Sequence, residues 1–159
     1  MSDPRDAVSV ERTIAAPPEK IFALLSDPNR HRDIDGSGSV REANEGSTKL
    51  ALGSEFGMAM KLAGVPYSMV SEVIEYDEDK RIAWQTRPSP SWQRPYFGGR
   101  IWRYELEPST SGTRVRETWD ISQEKGPVKH LLRIERSRVH TRHAMEKTLE
   151  NIERLTASA

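Results

Sequence analysis

The sequence predicts an α+β fold in which an antiparallel sheet of six or seven strands curves around one long C-terminal helix. Three observations carry this reading. Short runs between Ala7 and Ile121 alternate apolar and polar residues, the period of half-buried strands. Most connections between those runs are too short for a parallel crossover, which needs a dozen or more residues. Finally, Val128 to Leu155 contains neither glycine nor proline, while Met145, Leu149 and Ile152 recur at helical spacing. A sheet with one apolar face must bury that face, and this helix is the only large partner in the chain.

The first strand runs from Ala7 to Ala15, with Val8, Val10 and Ile14 on one side. Pro17 and Pro18 open a short helix carrying Ile21, Phe22, Leu24 and Leu25, and Asp27-Pro28 ends it. Asn29 to Ser39, with Asp35-Gly36-Ser37-Gly38, reads as a loop with room for one helical turn. Six further strands are expected near Val40 to Ala43, Glu55 to Leu62, Tyr67 to Tyr76, Arg81 to Thr86, Arg100 to Glu107 and Arg114 to Ile121. Turns at Ala63-Gly64, Asp77 to Asp79 and Ser109 to Gly112 separate several of them, so the sheet is mostly a meander. Between Arg87 and Gly99, Pro88, Pro90 and Pro95 alternate with Trp92, Tyr96 and Phe97; no strand tolerates this in its middle, so the segment is an irregular connection. Its aromatics either cover a pocket or pack the loop onto the sheet. From Pro127 to Leu155 one unbroken helix would extend roughly 40 Å.

Composition narrows the function. The 159 residues are read as one domain spanning 1–159, long enough for a continuous core. Lysine plus arginine equals aspartate plus glutamate at 24 each, so no global field favours nucleic acid or an anionic membrane. The absence of cysteine removes disulfides, thiolate metal sites and a cysteine nucleophile. With no export signal and no run near the roughly 20 apolar residues of a membrane span, the expectation is a soluble cytoplasmic protein without stable membrane insertion.

The order of elements, together with Val10-Glu-Arg-Thr-Ile-Ala-Ala-Pro-Pro-Glu-Lys-Ile-Phe22, Val73-Ile-Glu-Tyr-Asp-Glu-Asp-Lys-Arg-Ile-Ala-Trp84, Trp102-Arg-Tyr-Glu-Leu-Glu-Pro108 and Thr113-Arg-Val-Arg-Glu-Thr-Trp-Asp120, resembles the Bet v 1-like or START-like (SRPBCC) superfamily, whose bacterial members include the polyketide cyclase/dehydrase-like proteins. The resemblance covers nearly the whole chain. It implies a helix-grip fold with an internal cavity, and leaves chemistry open, because such folds host both binding proteins and enzymes.

Alternation assigns the residues that would face that cavity. Trp102, Tyr104 and Leu106 share one face, as do Val115, Glu117, Trp119 and Ile121; Ile82, Trp84 and Thr86; and Phe56, Met58, Met60 and Leu62. Along Tyr67 to Tyr76 both stripes contain apolar residues, with Tyr67 and Met69 expected inward and a β-bulge able to switch the stripe midway. The candidate ligand wall is therefore Met58, Met60, Tyr67, Met69, Trp84, Trp102, Tyr104 and Trp119. The bland alternative is that these residues simply fill the core.

Two charges fall on the inward stripes, Arg12 and Glu117. A lone buried charge is costly, so each needs a partner or water. In the superfamily the first and last strands are neighbours, which would let Arg12 and Glu117 pair. Both are weak catalytic candidates, with Glu117 the nominee for acid or base work. Other chemistry finds little support. His140, His143 and Glu146 can share a helix face but match no metal motif, Gly36-Ser-Gly38 fits no phosphate or dinucleotide loop, and neither metal nor cofactor is expected. Lys129, Arg133, Arg136, Arg138 and Arg142 bias the helix's first half toward positive charge, balanced by Glu146, Glu150 and Glu153. The resemblance implies an apolar small molecule as partner: a lipid, polyketide or aromatic metabolite, bound or carried. Cyclase or dehydratase chemistry through Glu117 and regulation through a protein partner are the alternatives.

Overall fold

Alternation along the first strand decides which side of the sheet is inside. In β1 (Ala7–Ile14), Val8, Val10 and Ile14 are buried and the residues between them exposed. The computed structural model describes residues 3–37, 40–43, 49–62 and 64–157, with the side chains of 40–43, 58–62 and 65 outside the description. Next come α1 (Pro18–Leu25), α2 (His31–Ile34), β2 (Val40–Ala43), β3 (Glu55–Leu62), β4 (Val65–Asp77), β5 (Arg81–Pro88), β6 (Arg100–Ser109), β7 (Gly112–Asp120), α3 (Val128–Leu132) and α4 (Glu135–Ala157). The seven strands form one sheet in the order β1-β7-β6-β5-β4-β3-β2, every pair antiparallel. The first and last strands are neighbours, and the rest is the expected meander.

The bulge expected in the fourth strand is present. The β4–β5 register shifts between Val73 and Glu75, so Ile74 is an extra residue. Before it Met69, Ser71 and Val73 are buried; after it Tyr76 stands opposite Ile82 and meets the edge of Phe22 at 5.4 Å between ring centroids. The inward stripe changes from odd to even positions without breaking the strand.

The described part of the expected loop, residues 29–37, holds more regular structure than a single turn. A 3-10 turn at Pro28–Arg30 leads straight into α2, whose His31 and Ile34 are buried. Gly36 then lies against α4: a Cβ there would fall 2.0 Å from the Ala144 carbonyl oxygen, and its amide donates to Thr148 Oγ1 at 2.9 Å. Only glycine permits so close an approach.

The C-terminal helix is interrupted, contrary to the unbroken helix read from the sequence. Asp6, just before β1, receives Arg133 at both carboxylate oxygens, at 2.6 and 3.0 Å. At this corner the Ile134 amide bonds to Leu131, three residues back, and regular bonding resumes with Arg138 to Ile134. A long-range ion pair thus marks the break where neither glycine nor proline does. α4 keeps 23 residues, roughly 35 Å. Its buried residues begin only at Met145, so the second half fills the sheet, with Leu149 and Ile152 essentially inaccessible.

Replacing Ile152 with alanine is expected to destabilise the protein by roughly 2–5 kcal/mol, the range for large-to-small core changes. Arg12→Ala, which removes only a half-exposed pair, is expected to change stability by less than about 1 kcal/mol. Urea unfolding of both variants measures this, and similar effects from the two would contradict the assignment of the helix face.

Candidate functional site

Two adjacent rows of side chains cross the inner face of the sheet. In one, the register places Trp84 opposite Trp102 and Trp102 opposite Trp119. In the next, Ile82, Tyr104, Glu117 and Val10 stand side by side across β5, β6, β7 and β1. A carboxyl group is thereby fixed in the middle of an apolar surface. Glu117 is 2 % exposed.

Its partner is Tyr104, whose hydroxyl donates to Glu117 Oε1 at 2.8 Å. Glu117 Oε2 is buried and has no hydrogen-bond partner among the described residues. Burial disfavours the charged form and pushes the Glu117 carboxyl up to about 8, with the negative charge of Asp35 acting in the same direction and the Tyr104 hydrogen bond opposing. Tyr104 is raised well above its ordinary value, first by burial and then by Glu117.

Aromatic rings surround this pair. Trp84 lies 5.6 Å from Tyr104, His31 stacks on Trp84 at 4.8 Å and 22°, and Phe56 meets both His31 and Trp84 edge-on. The nitrogen Nε2 of His31 is 2.8 Å from the Leu25 carbonyl oxygen. A carbonyl only accepts, so Nε2 carries the proton and donates. Burial lowers the His31 pKa and keeps the ring neutral. Trp102 is incompletely buried and lies 6.4 Å from Trp119.

The remaining predicted positions divide. Met69 is buried, while Tyr67, on the same stripe near the start of β4, is 38 % exposed. The β3–β4 register puts Met58 opposite Met69 and Met60 opposite Tyr67; the side chains of Met58 and Met60 lie outside the described set.

The expected Arg12–Glu117 pair does not form. Glu117 faces Val10 and Arg12 faces Val115, and Arg12 instead reaches Glu153 of α4 at 2.9 Å with its side chain 41 % exposed. The helix passing over this end of β1 offers a closer, solvated carboxylate. Sequence reasoning also missed His31 and Asp35. A signal was available, since Leu25, Pro28, His31 and Ile34 recur every third residue and all four are buried.

Comparison with the other buried acids sets Glu117 apart. Asp6 is held by Arg133, and Glu124 accepts from Arg100 at 3.1 Å and from the Gly98 amide at 2.5 Å. Those carboxylates are structural, each with a cation. Glu117 has a tyrosine and an open oxygen.

Elsewhere, His143 and Glu146 form a loose exposed pair at 3.8 Å, and no group of three or more His, Asp or Glu is arranged to hold a metal ion among the described residues. Lys129, Arg133 and Arg138 pair within the chain, which absorbs much of the basic bias of the helical segment. In the irregular connection, Trp92 and Tyr96 are exposed. A groove of about 690 Å³ is lined mainly by charged groups such as Glu75, Arg81, Glu105 and Arg116, and Glu117, Tyr104 and Trp84 do not border it. No helix among the described residues is long and apolar enough to cross a membrane.

A curved antiparallel sheet closed over a C-terminal helix defines an α+β helix-grip protein. Residues 5–156 match the family described as polyketide cyclase / dehydrase and lipid transport, and the chain belongs to that family. An uncharacterised protein of Mycobacterium tuberculosis is 40% identical over 114 residues, 71% of this chain and 46% of the relative. The chain thus spans about half the length of the curated relatives it matches. Among solved structures, a Mesorhizobium loti protein superposes with a TM-score of 0.69 at 21% identity, covering 96% of this chain and 98% of that one. DynU16, a protein from the dynemicin biosynthetic locus, superposes with a TM-score of 0.64 at 14% identity, covering 95% of this chain and 47% of that one. At such identities the likeness is one of fold.

Stability should depend on pH through Glu117. Its folded pKa of about 8 lies above the ordinary 4.5, so between these values the folded state binds more protons and stability falls as pH rises. His31 acts oppositely below its ordinary 6.5, where the unfolded state is the better proton acceptor. From about pH 6.5 to 8 the opposing His31 effect, half spent at 6.5, fades and the Glu117 effect prevails, with a slope of at most about 1.4 kcal/mol per pH unit. Urea unfolding across that interval should show the decline in the wild type and its loss in Glu117→Gln. An unchanged slope in the variant would assign the decline to other groups.

Proposed function

We propose that this protein binds or carries an apolar small molecule of the lipid, polyketide or aromatic class in the interior between sheet and helix. The observation that carries the reading is the open oxygen of Glu117, fully buried on a wall of Trp84, Trp119 and Tyr104. Buried polar atoms are almost always hydrogen-bonded, and each exception calls for an explanation. A ligand that brings a polar atom into an apolar enclosure is one such explanation, and it fits the general form of small-molecule sites, mostly apolar with a few placed polar groups. Tyr67 is 38 % exposed and Trp102 only partly buried, so the inner face meets solvent at these two positions. The small-molecule theme of the family agrees with this reading.

A second reading, cyclase or dehydratase chemistry, is favoured by one observation. Glu117 and Tyr104 are coupled titratable groups, and a carboxyl with a pKa near neutrality suits proton transfer. In that case Glu117→Gln should retain binding and lose turnover.

Titration with a fatty acid or an aromatic hydrocarbon, followed by tryptophan fluorescence, tests the binding reading. Saturable binding with altered emission is expected, weakened in Trp84→Ala and in Trp102→Ala. Binding of unchanged affinity in both variants would put the ligand elsewhere.

A further inference from the structure

Hydrogen-bond chemistry at Glu117 narrows the class of ligand. Tyr104 donates to Oε1, so Oε1 serves as the carbonyl-type acceptor of the carboxyl group. In the acid form the proton then sits on Oε2, the oxygen left without a partner. In that form the wall lacks an acceptor for Oε2.

The neighbouring groups offer no substitute among the described residues. His31 donates its Nε2 proton to Leu25, and its Nδ1, which can accept, makes no hydrogen bond to Glu117. Arg103 and Arg116, on either side of this row, turn to the outer face and pair with Glu75 and Glu11, while Arg12 pairs with Glu153. Among the described residues no arginine pairs with Glu117 to hold a ligand carboxylate. The charged and titratable groups whose influence reaches Glu117 are Tyr104 and Asp35, and the negative field of Asp35 further disfavours an anion.

Building on the binding function proposed above, we propose that the ligand is a neutral apolar carbonyl compound, a ketone, quinone or ester, whose oxygen accepts a hydrogen bond from Glu117 Oε2. The bond satisfies a buried donor whose isolation costs about 1–3 kcal/mol. The same site discriminates against the parent hydrocarbon, which leaves Oε2 unpaired, and against a carboxylate, which brings a negative charge into a low-dielectric interior under the field of Asp35.

A matched set of tricyclic probes separates these possibilities: 9-fluorenone, fluorene, fluorene-9-carboxylic acid and 9-aminofluorene, measured by equilibrium dialysis against wild type, Glu117→Leu and Glu117→Gln. In the wild type, 9-fluorenone should bind about tenfold tighter than fluorene and tighter still than the acid. Glu117→Leu should bring the fluorenone-to-fluorene ratio close to one. Glu117→Gln should keep much of it, because its amide oxygen can accept from Tyr104 while its N–H donates. The infrared carbonyl band of bound 9-fluorenone should shift to lower wavenumber in the wild type and in Glu117→Gln.

Equal binding of ketone and hydrocarbon would overturn the carbonyl assignment and leave the binding function intact. So would tightest binding of the amine, which would mean an ionised Glu117 facing a cation. If Glu117→Leu does not fold, a Glu117→Gln variant that binds fluorene normally but shows neither the ratio nor the infrared shift overturns the assignment equally well. Failure of all four probes to bind would remove the binding function itself, and the carbonyl assignment with it.

Discussion

Glu117 cannot leave the interior, because β7 is paired on both sides along its length. Its neighbours in the ladder are Val10 on β1 and Tyr104 on β6. Turning the carboxyl outward would require a one-residue slip, which would also expose Val115 and Trp119 and bury Arg114 and Arg116. The sheet therefore holds an unpaired oxygen in place with the combined strength of its packing. A flexible loop could not do this, since it would rotate the group into water.

The charges on either side of this placement are directed away from it. The outer face of the sheet is neutralised by cross-strand pairs, Arg81 with Glu75 and Glu105, Arg103 with Glu75, and Arg116 with Glu11. Exposed pairs of this kind contribute little stability each. They engage the charges flanking Tyr104 and Glu117, and among the described residues no cation forms a salt bridge with the interior carboxyl. The helix adds to this separation: only the second half of α4 fills the sheet, and its Glu153 draws Arg12 toward solvent.

What could be read from the sequence follows from the range of each interaction. The inward rows were legible because a period of two is local, and the Tyr104–Glu117 contact was legible in principle as well. The tight connection at Thr110-Ser111 fixes the hairpin register, and counting outward from it brings these two residues face to face. Arg12 was not legible in this way, since the β1–β7 register joins segments 100 residues apart with no turn to set it. The break at Arg133 was hidden for the same reason, because it depends on Asp6 at the other end of the chain. His31 was missed because a three-residue period of Leu25, Pro28, His31 and Ile34 reads as neither a regular helix nor a strand, although all four are buried and His31 stacks on Trp84.

Stability alone gives no reason for Glu117 to be where it is. An apolar residue of similar volume would suit the surrounding wall better, and replacing buried ionisable groups by well-packed apolar ones is often neutral or stabilising. Asp6 and Glu124 show how this fold treats an acid needed for structure: each is closed off by an arginine that also ties distant segments together, Asp6 to the helix corner and Glu124 to the start of β6. Glu117 ties no segments beyond the strand pair that already holds it, and its Oε2 stays open. Strand pairing on both sides of β7 thus fixes a group whose hydrogen bonding is incomplete among the described residues, at a place where an arginine like those of Asp6 and Glu124 would have completed it.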